Sequence, residues 1–118
     1  MDSEKFVHAI EQVVLASAVK GTQDILETPP GRSPAQDLLE LSLWYKSLSE
    51  QDRKMIIKII SKSASNAVFG FFCVLDGVRV FEDGPDKGDL NLYYERNSES
   101  VLLNSPKEDF LHEMMSRL

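Results

Sequence analysis

The sequence predicts an α+β domain in which about four helices pack with a small three-stranded antiparallel sheet. Three observations carry that expectation. Helix-start signals stand at Ser33-Pro34, Ser49 and Ser105-Pro106. Apolar residues recur at helical spacing as far as Val74. Beyond that point come three short strand-like runs separated by turn formers.

The first helix is expected over residues 3 to 27, capped by Asp2 or Ser3. Phe6, Ile10, Val13, Val14 and Ala18 trace its inward face, with Ile25 continuing it. Lys20-Gly21-Thr22 is its weakest stretch, and a break is expected there if anywhere. The run TPPGRSP stops it, because consecutive prolines cannot continue a helix. Helix two, about 34 to 47, starts with Ser33 as N-cap, Pro34 at the first position and Gln36 reaching back. Leu38, Leu41, Tyr45 and Leu48 form its stripe, widened by Leu39, Leu43 and Trp44.

Helix three, the long central one, begins after Ser49, with Asp52 completing a looser cap. Ile56, Ile59, Ile60, Ala64, Ala67, Phe71 and Val74 keep helical spacing along it. The opposite face reads Lys54, Lys58, Ser61, Lys62 and Ser65, then Phe69 and Phe72. A helix that becomes apolar all round must be covered on every side there. The sheet is the expected cover. A second copy of the chain, making a homodimer, is the other. Residues 67 to 75 would also suit a buried strand, but the unbroken period from Met55 favours helix. Asp76-Gly77 ends the helix through the left-handed conformation glycine tolerates. The strand-like runs are 78 to 82, 89 to 95 and 100 to 103, with Leu90, Leu92 and Tyr94 alternating against Asn91, Tyr93 and Glu95. Helix four, 106 to 117, turns Phe110, Leu111, Met114 and Met115 inward behind an N-terminal box of Ser105, Pro106 and Glu108. With 118 residues, no internal repeat and no long linker, residues 1 to 118 read as one domain.

A net charge of −6 and a pI near 4.8 argue against nucleic acid as a partner and suit a basic protein partner. A lone cysteine, Cys73, sits in an apolar run and reads as a small buried hydrophobe. The opening residues lack the basic start and apolar stretch of a signal peptide and give no membrane anchor, so a cytoplasmic location is the expectation. His8 and His112 are the only histidines, and neither has the Cys or His neighbours of a zinc site. No Gly-x-Ser-x-Gly elbow or phosphate-binding loop occurs. No catalytic residue, cofactor or metal site is therefore expected.

Two constellations remain. Residues 82 to 99 hold six acids against two bases. Asp83, Asp86 and Asp89, with Tyr93 as an exposed aromatic anchor, form the expected partner-binding surface. Their spacing is not that of an EF-hand, so a solvated turn is the plainer reading than calcium. The second constellation is a pocket of Asp76, Arg79 and Tyr94 near the end of helix three, fit for a small ligand or a carboxylate-based enzyme.

The strings WYKSLSEQDRK (44 to 54) and AVFGFFCVLDGVRVFEDG (67 to 84), with LLN and FLHEMM further on, resemble small stand-alone bacterial proteins of unassigned function. The resemblance implies a compact cytoplasmic α+β protein and brings no catalytic residues. By analogy of size and charge, immunity proteins that neutralise toxins belong to the same class of object. The expected function is thus a non-catalytic protein-binding module, monomer or homodimer. The alternative is a small-ligand binder or enzyme at the Asp76 pocket.

Overall fold

Asp2 opens the first helix as expected: its Oδ1 accepts from the Lys5 backbone N–H at 2.8 Å. In the computed structural model, which describes residues 1–115, that helix has three parts. They are α1 (Ser3–Ile10), a π-helical turn (Glu11–Leu15) and α2 (Ala16–Glu27). α3 (Gln36–Ser47) and α4 (Glu50–Leu75) follow, then strands β1 (Tyr93–Arg96) and β2 (Glu99–Leu102), then the four-residue α5 (Leu111–Met114).

The π turn changes which residues face in. A π turn holds one residue more than the α-helical register needs. Beyond it every inward position moves on by one: Leu15 replaces Val14, Val19 replaces Ala18, and Leu26 replaces Ile25. Val13 and Val14, expected inside, are turned out to solvent, Val14 at 47% exposure. The helix does not break at Gly21. Lys20 bonds to Asp24 one turn on, which raises the Lys20 pKa above its usual value. The Thr22 hydroxyl also donates to the Ala18 carbonyl at 2.8 Å.

The start of α3 departs from expectation. Its N-cap is Ala35, with no side-chain cap, so Ser33 and Gln36 form no capping box. α3 instead docks on α2 through Tyr45 and through Ser42, whose buried Oγ donates to the Leu26 carbonyl at 2.7 Å. This rotation leaves Leu41, Leu43 and Trp44 exposed. Ser49 does cap α4, its Oγ accepting from Asp52 N–H at 3.1 Å.

α4 runs antiparallel to the first helix, Phe72 meeting Phe6 of α1 edge-on at 6.2 Å while α4 also packs along the π turn and α2. The stretch 67 to 75 is helical, and Cys73 is buried. The side of α4 that faces in is that of Phe72, Phe69 and Val68. Ile59 and Phe71, expected inside, are 62% and 61% exposed. Phe72 is covered within the chain against Phe6 of α1, and the half-buried Phe69 meets His112 of α5, so α1 and α5 take the place expected for the sheet. The core proper is Val7, Leu15, Phe72, Leu111 and Met115.

The sheet has two strands, β1 and β2, antiparallel with Tyr93 opposite Leu102 and Arg96 opposite Glu99. They are joined by Asn97-Ser98, both at positive φ, the two-residue turn whose twist matches a hairpin. Residues 78 to 82 form no strand. Their would-be partner, 90 to 92, has its backbone taken by Leu103 and Asn104: Leu103 N–H donates to Leu92 O at 2.8 Å, and Leu92 N–H donates to Asn104 Oδ1 at 2.9 Å. Helix four is shorter than expected, and residues 106 to 110 form a turn and irregular chain in place of its first part. Ser105 closes a turn with Lys107 and Glu108 rather than opening a helix. Residues 116 and 117 of that expected helix lie outside the described residues. Phe110, Leu111, Met114 and Met115 are buried or half-buried, as expected.

Candidate functional site

The C-terminal end of α4 organises the first of three surfaces. Gly77, at φ +77°, lets the chain turn back: Gly77 N–H donates to Val74 O and Val78 N–H to Cys73 O, the paired bonds of a Schellman cap. That turn aims Asp76 inward, with its side chain 2% exposed. Its Oδ1 accepts from Leu111 N–H and its Oδ2 from His112 N–H, each at 2.9 Å. The His112 Nδ1–H adds a third bond to Oδ2 at 2.6 Å. Asp76 thus caps the start of α5 from 35 residues away and holds the imidazole. Phe110 stacks on that ring at 5.5 Å, and Phe69 meets it edge-on at 5.4 Å.

A carboxylate bonded to Nδ1 is two-thirds of a nucleophile–His–Asp arrangement. The remaining third is missing: among the described residues no Ser, Thr or Cys side chain is bonded to the imidazole. Asp76 has its oxygens fully engaged in holding α5, so it is a structural group at this helix end. No cluster of three or more His, Cys, Asp or Glu able to hold a metal occurs among the described residues.

Asp76 and Arg79 line one cleft of about 350 Å³ together with Glu82, Lys87 and Asp89. Arg79 lies across α4 at Gly70, where an added Cβ would come within 2.3 Å of its Nη1. Tyr94, expected in the same pocket, is not there; it lies on β1 and lines a different hollow. Of these three residues the structure brings Asp76 and Arg79 to one cleft and leaves Tyr94 out of it.

The acidic segment is the second surface. Glu82 shapes it, its Oε1 accepting from Gly88 N–H at 2.6 Å. Asp83, Asp86 and Asp89 are exposed and unpaired among the described residues. Asp89 lines the Arg79 cleft and the other two do not. Tyr93 is exposed, as expected, but stands with the apolar residues of the third surface, so it is not grouped with the three aspartates.

The third surface was not anticipated from the sequence. A groove of about 560 Å³ runs between the first helix and α4 and is closed at one end by the β1–β2 region. Phe6, Ile10 and Val14 form one wall, Phe71 and Leu75 the other, and Tyr93 and Tyr94 the end. No ionisable group other than the tyrosine hydroxyls lines it. The advance signal was the end of α4, which the sequence shows to be apolar all round; the π turn, which turns Val14 outward, leaves no mark in the residue pattern.

No family model, curated protein or solved structure matches the chain. By length and composition alone α4 could cross a membrane, with mean hydropathy 1.3 over an 18-residue window of which 17% is buried. Core helices of soluble proteins meet the same criterion, and α4 packs here against α1, α2 and α5.

Proposed function

We propose that this chain is a non-catalytic protein-binding module that uses the apolar groove between the first helix and α4. The single observation that carries the reading is the uncovered groove itself: about 560 Å³, lined by apolar and tyrosine side chains, with Phe71 standing open at its lip. Contiguous exposed apolar surface of this kind marks interaction sites. The acidic segment with Asp83, Asp86 and Asp89 gives such a module a second contact, one that would attract a basic protein and weaken with salt. Antitoxin-like neutralisation of a basic toxin is one form this function takes. The enzyme reading loses support from Asp76, whose carboxylate is occupied by Leu111 and His112.

The test is affinity capture with the tagged chain from the cells that produce it, alongside Phe71→Asp and an Asp83→Lys, Asp86→Lys, Asp89→Lys triple variant. A protein held by the wild type and lost by Phe71→Asp is the expected result. Loss in the triple variant as well, with capture falling as salt rises, identifies a basic partner at the acidic segment. Equal capture by the wild type and Phe71→Asp, or capture of nothing by either, overturns the reading.

A further inference from the structure

We draw no further inference here: the strongest candidate, the apolar groove between the first helix and α4 with Phe71 open at its lip, belongs to the site already described, and nothing in the structure shows what covers it.

Discussion

Asn104 ties three separate parts of this molecule together. Its Nδ2 donates to the carbonyls of Leu75 at 2.6 Å and Leu90 at 2.8 Å, while its Oδ1 accepts from Leu92 N–H at 2.9 Å. One amide therefore joins the end of α4, the strandless segment 90 to 92 and the exit from β2. It is 9% exposed, so water is a poor substitute for any of the three bonds. Asn104→Ala leaves those backbone groups short of partners and is expected to cost roughly 2–4 kcal/mol. Asn104→Asp should cost at least as much, because a carboxylate would turn oxygen toward two carbonyl oxygens. Urea denaturation measures both, and a loss under about 1 kcal/mol would show the residue to be incidental. Nothing in the string LLNSP announces this role, because the groups Asn104 serves lie 12 to 29 residues away. Asp76 and His112 were invisible as a pair for the same reason. The caps at Asp2 and Ser49 were legible because their partners are three residues off.

At the scale of elements, the first helix shows how a single residue can reassign a face. Periodicity located a helix over 3 to 27, and Phe6 and Ile10 do pack against the core, although the fully buried Val7 was missed. From Leu15 on the inward set was displaced by one, because the π turn widens the backbone where no proline or glycine marks the spot. If Glu11–Leu15 truly holds a surplus residue, then deleting exposed Gln12 should restore plain α-helix with Leu15, Val19 and Leu26 still facing the core. Stability should then change by less than about 1 kcal/mol. Deleting exposed Thr22 removes a residue that the register does need. It would turn Leu26 out of its buried site, at an expected cost of about 2–3 kcal/mol. Thermal melts of the two deletions should separate clearly; similar losses would mean the π turn carries no spare residue. Two serine–proline starts failed for a related reason. A cap is worth only about 1 kcal/mol. At 105 to 110 the chain gains more by presenting Leu111 and His112 to Asp76 than by starting a helix early.

The whole molecule is thin for its length. Its Cα radius of gyration is 18.5 Å and its extents are 50 × 38 × 28 Å, where a compact chain of this size has a radius near about 13.5 Å. The reason lies in where helices find cover. α3 docks at the far end of α2, while α1 and α5 close on the other end of α4, so the long helices are covered mainly at opposite ends. Solution X-ray scattering on the chain, extrapolated to low concentration, should return a radius close to 18 Å. A value near 14 Å would mean that α3 folds back onto α4. Fold class was readable at this scale from element content, but overall shape was not. Shape depends on which apolar stripes meet, and Leu43, Trp44, Ile59 and Phe71 offered stripes that no element of the same chain takes up.

The contribution of α5 to the core carries a consequence for the order of folding. Leu111 is fully buried and Met115 nearly so, and both pack with Val7, Leu15 and Phe72 from much earlier in the chain. As the chain leaves the ribosome, α1 to α4 emerge with the hollow between α1 and α4 still lacking its plug. Helices can form at that stage, but the core cannot close until residues 111 to 115 arrive to meet Asp76. A nascent chain stalled anywhere between Leu75 and Phe110 would display Phe72 and Phe69 together with Phe71.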